Sequence, residues 1–273
     1  VGMALAERLL HRDHPLIDHH TYVVVGDGCM MEGVSYEAAA FAGRQRLSRL
    51  IVLFDDNGIT IEGKTNLVTR EDHEATFRSM GWTTHSADGH DYQSVRAAID
   101  EARASDKPSF VALETTIGYG AAGKEGSPEV HGAPLGSEEM STTRKRLGWP
   151  YPPFETPEEG VALWRSFAER NASAIREWNE ARGALGREER DELDRRARGD
   201  LRPGALAALD DRKRKFAEGS KPMPTRKATP QIVDALAPHA PELVGGSADL
   251  GQSNGSLGST MTGIFPENGY TGN

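Results

Sequence analysis

Two oxygen-bearing side chains, Asp27 and Asn57, each follow an apolar run, and each sits beside glycine. The run at 22–25 stops at Gly26-Asp27-Gly28, and the run at 50–54 stops at Asp55-Asp56-Asn57-Gly58. Asp27 offers a carboxylate oxygen and Asn57 an amide oxygen. Mg2+ takes octahedral oxygen ligation, with a few protein oxygens completed by water and substrate phosphate. Gly26, Gly28 and Gly58 let the backbone approach a ligand closely and reach positive φ. Backbone N–H groups after Gly28 and the start of the next helix suit a diphosphate. The pattern is that of a Mg2+-diphosphate cradle. Alone, Asp-Gly or Asn-Gly is a turn dipeptide; the pairing on successive strands is what points to a site.

The elements that must position this pair follow from periodicity. Both runs are uninterrupted by polar residues, as expected of strands covered on both faces. A helix over about 35–42, closed by Gly43, separates them. Strand, helix, strand is a βαβ unit with a parallel sheet, and both strand ends lie on one edge, where open α/β sheets bind ligands. A second βα repeat follows. It has a helix at 71–80 with Phe77 and Met80 inward, a short strand at 83–85, and a helix at 92–104 capped by Asp91 with Val95, Ile99 and Ala102 on one face. A strand over 110–116 completes it. His90 reads as a turn histidine and Trp82 as a core aromatic.

The first ten residues read as an amphipathic helix, with Val1, Leu5 and Leu9 on one stripe and Glu7 and Arg8 away from it. His19 and His20 are adjacent, so as strand neighbours they face opposite ways and do not share one ion. Cys29 reads as a small packing residue. The stretch 117–136 is a long Gly/Pro-rich loop carrying Lys124 and His131, and loops after strands commonly carry function. Ser137 is expected to cap a short helix. Thr156-Pro157-Glu158-Glu159 starts a helix running to about 181, with Val161, Trp164, Ala168, Ile175 and Trp178 as its stripe. The densely charged stretch 187–221 reads as a solvated helical connector. Thr229-Pro230 opens another helix, and Leu243-Val244 a strand that runs into a Gly-rich loop.

Composition bounds the function class. The net charge of −9 on 273 residues argues against nucleic acid or an anionic membrane surface as partner. No apolar run approaches a membrane span, and one cysteine excludes an internal disulfide framework, which makes a reducing cytoplasm the default.

The wording of these motifs is specific. GDGCMMEGVSYEAAAFAG followed by LIVLFDDNGITIEG resembles the transketolases, a thiamine-diphosphate-dependent family. The resemblance continues through GW at 81–82, DGHD at 88–91, KPSFVALETTIGYG at 107–120, HGAPLG at 131–136, TRKAT at 225–229 and GGSADLGQSN at 245–254. It implies an α/β, parallel-sheet thiamine-diphosphate-binding fold, partial, followed by the start of a second α/β domain. The implied domains are a diphosphate-binding part at 1–190, a charged connector at 191–224 and the start of a pyrimidine-binding domain at 225–273.

The implied activity is transfer of a two-carbon glycolaldehyde unit from a ketose phosphate to an aldose phosphate, by a cytoplasmic homodimer using thiamine diphosphate and Mg2+, with Ca2+ or Mn2+ as substitutes. Carried over by motif, Asp27, Asn57 and the Ile59 carbonyl ligate the metal. Gly26, Asp27, Gly28, Asn57, His131 and Asp249 bind the cofactor. His131, Arg226 and Ser253 meet substrate, and His131 and Glu32 take part in catalysis, Glu32 through a hydrogen-bond link at the subunit interface. Lys124 matches a family lysine without an assigned role, and the resemblance is not followed beyond Ser259.

Dihydroxyacetone synthase is the nearest alternative. DDNGITIEG and HGAPLG disfavour deoxyxylulose-phosphate synthase, and a non-catalytic cofactor-binding half is the reading outside enzymes. Val1 is not an initiator Met and NGYTGN leaves a unit unfinished, so the expectation is a fragment. It is expected to be inactive alone, because family histidines precede Val1 and the glutamate that activates the cofactor follows Asn273.

Overall fold

The computed structural model describes residues 1–219 and 221–272. Ser220, at the end of the expected connector, and Asn273 lie outside the described residues. Contacts divide the chain into two units, Val1–His11 with Ile17–Ser173, and Arg12–Leu16 with Ala174 onward.

The first unit opens with α1 (Gly2–Asp13), β1 (Thr21–Gly26), a single turn α2 (Asp27–Met30), α3 (Gly33–Arg44) and β2 (Leu50–Asp56). A short antiparallel pair follows, β3 (Ile59–Thr60) and β4 (Gly63–Lys64), then α4 (His73–Ser79), β5 (Thr83–Asp88), α5 (Tyr92–Arg103) and β6 (Ser109–Glu114). The main sheet has the order β1-β2-β6-β5 with every pairing parallel. In register, Gly26 stands opposite Asp55, and Asp56 opposite Glu114. The residues after these positions therefore emerge on one sheet edge, as the βαβ reading expects.

β2 is covered on both faces because its side chains alternate between two cores. Leu50, Val52 and Phe54 pack with Ala39, Ala42, Phe77, Trp82 and Phe110, while Ile51 packs with Val111, Ala98 and Ala102. β1 departs from expectation. Val23 and Val25 pack on the first core, but Val24 is 74% exposed and Tyr22 is also exposed. β1 is a sheet edge, and no described element covers its second face.

Three local expectations are corrected by packing. Gly43 lies inside α3 rather than ending it; an added Cβ there would stand 1.9 Å from the Met80 carbonyl oxygen. Glu7 is buried beside Arg49, where the stripe placed it outward. Cys29 is exposed, not packed. Trp82 is the expected core aromatic, and its Nε1 donates to the Ala39 carbonyl at 2.8 Å. Asp91 caps α5 as expected, accepting from Gln93 N. His90 ties its turn to the strand-end loop, accepting from Thr116 N at 2.9 Å and stacking on Tyr119.

Beyond β6 come α6 (Ser137–Arg146) and the long α7 (Glu158–Ala184). Gly136, at φ 86°, is the residue before α6, and Ser137 is its first residue without a capping bond. The α7 stripe is not buried: Trp164 is 77% exposed, and Ile175 and Trp178 are exposed too.

The second unit contains α8 (Arg187–Arg198), α9 (Ala205–Gly219), α10 (Thr225–Leu236) and one turn, α11 (Gly251–Asn254). Pro230 sits inside α10 rather than opening it; Pro224 precedes the helix instead. Among the described residues Leu243 and Val244 form no strand, because no partner strand pairs with them.

The charged stretch is more than a solvated connector. Leu193 and Arg195 are buried, and Arg195 bonds Glu192 at 2.8 Å and Glu242 at 2.9 Å through both carboxylates. Glu192 also accepts from Arg196 and Arg202, and Arg196 reaches Asp13 at 2.8 Å. The Arg195, Arg202 and Arg196 guanidiniums hold the Glu192 carboxyl well below the usual range, and Arg12 with Arg196 holds Asp13 down to about 2. Depressed carboxyl pKa values mean stability present above the unfolded-state pKa, near pH 4, and lost as pH falls through the folded values. Glu192→Gln is expected to destabilise this unit by about 2 kcal/mol at pH 7, the scale of charged hydrogen bonds, and by much less near pH 2. Thermal melts of wild type and variant at both pH values check this; equal losses at both would mean that the network carries no charge-dependent stability.

Candidate functional site

The sheet edge brings Asp27 against the turn after β2. The Asp27 side chain is 6% exposed, and its carboxylate receives backbone N–H groups of Asn57, of Gly58 and of its own residue. Burial, and then the neighbouring Asp56, push its carboxyl above the ordinary range, against those three bonds. Its Oδ2 is buried and has no hydrogen-bond partner. A buried, unpartnered carboxylate oxygen is costly unless a cation meets it.

Asn57 is oriented from both sides. Its Nδ2 donates to Asp55 Oδ2 at 3.2 Å, which fixes the amide, and Oδ1 accepts from Ile59 N at 3.0 Å. Asp55 is itself held by the Thr115 hydroxyl at the end of β6. Oδ1 keeps a second lone pair. Gly58 adopts φ 68°, the left-handed turn that the sequence anticipated. Gly26 is extended at φ −108° and Gly28 is helical, so neither uses positive φ. A Cβ at either would meet open space, so the backbone there is accessible to a ligand. Ile59 is buried and opens β3, directly after this turn.

A cleft of about 260 Å3 opens beside Asp27, lined also by Phe54, Asp56, Arg70, Asp72 and His73 among others. His73 stands edge-on to Phe54 with ring centres 5.3 Å apart, and its Nδ1 is buried without a hydrogen bond. His73 was not anticipated. Its only signal in the sequence is its place one residue after Asp72, the α4 cap.

The other expected residues are placed as follows. Glu32 is exposed and immediately precedes α3, consistent with a helix-start acid. His131 is exposed in the loop after β6, its backbone N bonded to the Pro128 carbonyl, and no hydrogen bond among the described residues joins it to Asp27 or Asn57. That loop is closed by Gly126 N to Ile117 O and pinned to α6 by Gly123 N to Glu139 and by an Arg146–Glu125 pair at 2.6 Å. In the second unit Asp249 and Ser253 line a separate cavity of about 640 Å3 with Pro230 and Gln252. Arg226 lies exposed in the first turn of α10, and a Cβ on Gly255, at φ 67°, would stand 2.7 Å from its carbonyl. The structure thus gathers Asp27, Asn57, Gly26, Gly28 and Ile59 at one edge of the first unit, and Asp249, Ser253 and the Arg226 backbone in the second.

Among the described residues no helix is long and apolar enough to cross a membrane. Residues 1–202 match the family described as transketolase, thiamine diphosphate binding domain. A transketolase of Cereibacter sphaeroides is 42% identical over 268 residues, covering 97% of this chain and 40% of that protein. Transketolase 1 of Escherichia coli K12 is 40% identical over 269 residues, covering 94% and 40%. Among solved structures, transketolase from Leishmania mexicana superposes with TM-score 0.87 at 32% identity over 99% of this chain and 41% of that one. The Pichia stipitis transketolase complex with sedoheptulose-7-phosphate gives 0.88 at 33%, over 99% and 42%. The chain spans about 40% of the length of the relatives it matches.

Proposed function

The chain belongs to the transketolase family, and on that premise we propose that the full-length protein transfers a two-carbon unit from a ketose phosphate to an aldose phosphate, using thiamine diphosphate and Mg2+. Bound thiamine diphosphate supplies the electron sink that lets the donor's carbon–carbon bond break. The observation that carries the reading is Asp27 Oδ2, a buried carboxylate oxygen without a partner, beside the Asn57 turn in the segment that matches the cofactor-binding family.

In this reading Asp27, Asn57 Oδ1 and the Ile59 carbonyl hold Mg2+, with Ca2+ or Mn2+ as substitutes. The donor set fits the ion, being oxygen throughout with one charge. Gly26 and Gly28 leave room for the diphosphate. His131 lies over the cofactor and meets substrate, and Asp249 is assigned to the cofactor site that the other subunit of a homodimer provides. Glu32 acts through the subunit interface of a homodimer. The domain reading is a diphosphate-binding part at 1–190, a connector at 191–224 and the start of a pyrimidine-binding part at 225–273. A cytoplasmic setting belongs to the same proposal.

Arg226 and Ser253 are assigned to the sugar phosphate, since a guanidinium matches phosphate geometry. In the full-length protein Arg226→Ala is expected to raise KM for phosphorylated donors by about 10- to 150-fold, the equivalent of the about 1.5–3 kcal/mol of a charged hydrogen bond, and to leave hydroxypyruvate nearly unaffected. Equal losses on both donors would make Arg226 structural.

The test of the activity is transfer from xylulose 5-phosphate to ribose 5-phosphate by the full-length protein, with formaldehyde as the competing acceptor. Preference for the aldose phosphate supports transketolase. Preference for formaldehyde identifies dihydroxyacetone synthase, and no transfer to either leaves only the binding half.

A further inference from the structure

Glu7 has no role in the cofactor site, yet it is 2% exposed and its Oε1 makes no hydrogen bond. The nearest counter-charge is Arg49 Nε at 3.5 Å, and the same guanidinium also pairs with Asp18. Burial pushes the Glu7 carboxyl above its ordinary range, with Arg49, His11, His19 and Arg8 pulling the other way. Such a group is held in place against its own desolvation cost.

Glu7 and His11 are four residues apart on α1 and so share one face. Asp18 comes from the segment leading into β1. One donor atom from each of Glu7, His11 and Asp18 lies within 4.8 Å of the other two. The His11 ring is already oriented, because Nδ1 faces the Ile17 carbonyl at 2.7 Å. As the donor in that bond, Nδ1 carries the proton of the neutral ring and leaves the lone pair on Nε2. Metal-binding histidines are fixed in this way by a backbone carbonyl on their other nitrogen.

We propose that Glu7, His11 and Asp18 form a binding site for a divalent transition-metal ion of the Zn2+ class. One imidazole nitrogen and two carboxylate oxygens are ordinary Zn2+ ligands, with water in the fourth position. The imidazole sets the site apart in chemistry from an all-oxygen Mg2+ site. Arg49 supplies the positive charge when the ion is absent. Its side chain is only partly covered, at 29% exposure, so the ion can displace it toward solvent. The bound ion would tie α1 to the segment that enters β1 and stabilise the fold by mass action.

The test is equilibrium dialysis of Zn2+ against the full-length protein with thiamine diphosphate and excess Mg2+ present, paired with thermal melts. The expected result is one Zn2+ per chain that raises Tm. His11→Ala should weaken it at least about tenfold, the lower end of what losing even an outer contact costs, and abolish the Tm gain. Asp18→Asn, at an exposed position, should do the same with less risk to the fold. Arg49→Gln removes the competing cation and should tighten binding. No Zn2+ uptake by the wild type, or uptake unchanged in both His11→Ala and Asp18→Asn, would overturn the proposal.

Discussion

Gly43→Ala is expected to lower stability by about 3 kcal/mol or more, the upper range of overpacking, and to leave little folded protein at physiological temperature. The Cβ would sit 1.9 Å from Met80 O and 3.1 Å from Trp82 Cδ1. The obstacle on one side is backbone, which cannot rotate away. On the other it is an indole whose Nε1 is committed to Ala39 O. Relief requires α3 to withdraw from the turn between α4 and β5, and that opens the core of Phe77, Trp82 and Phe110. Denaturant melts of wild type and Gly43→Ala measure the effect. A loss below about 1 kcal/mol, the ordinary range for tolerated core changes, would show that α3 and the Met80 turn do not pack this closely.

Asp27→Ala is expected to have two opposite effects. Without ligands the variant should be at least as stable as wild type, because the buried Oδ2 has no partner and burial disfavours its charge. With Mg2+ and thiamine diphosphate the order should reverse. Cofactor affinity should fall about 100-fold, or about 2.8 kcal/mol at 1.4 kcal/mol per decade, and the fall should vanish when Mg2+ is removed from both proteins. Functional sites commonly hold groups that cost stability until the ligand arrives. Melts with and without ligands, together with cofactor calorimetry at limiting Mg2+, check both halves. A variant that is less stable in the absence of ligand and binds cofactor as well as wild type would make Asp27 a structural residue.

How much of this was legible in the sequence depends on what each signal encodes. The β2 run reads as doubly covered and is, since Ile51 and Val52 face different cores. The β1 run has the same composition, yet Val24 faces outward, because apolar character does not tell a strand which neighbours it has. Gly43 reads as a helix stop, but glycine serves equally where two backbones meet, and the partner lies nearly forty residues away in sequence at Met80. Pro230 reads as a helix start, yet Pro224 takes the position before α10 and Pro230 is tolerated within it. Leu243-Val244 reads as a strand, but a strand needs a partner that local sequence cannot supply. The α7 stripe, with Trp164 and Trp178, marks a helix correctly and says nothing of what covers it.

The meeting of Asp27 and Asn57 at one sheet edge was more legible than the packing, because a parallel βαβ unit carries both strand ends there, and topology rather than contact fixes that. What the sequence could not give was orientation. Asp55 and Thr115 set the Asn57 amide, and they come from β2 and from the end of β6. His73 enters the cleft through α4, with no motif to announce it. Glu7, His11 and Asp18 were likewise scattered, and only the packing of α1 brings them within reach of one another.

The most direct measurement is an anomalous-difference map from crystals of the full-length protein grown with Mn2+ and thiamine diphosphate. The expected result is one peak at the β1–β2 strand ends, bound by an Asp27 carboxylate oxygen, Asn57 Oδ1 and the Ile59 carbonyl, with the diphosphate on its open side. Bound cofactor with no peak there, or with the ion held by other residues, would contradict the assignment.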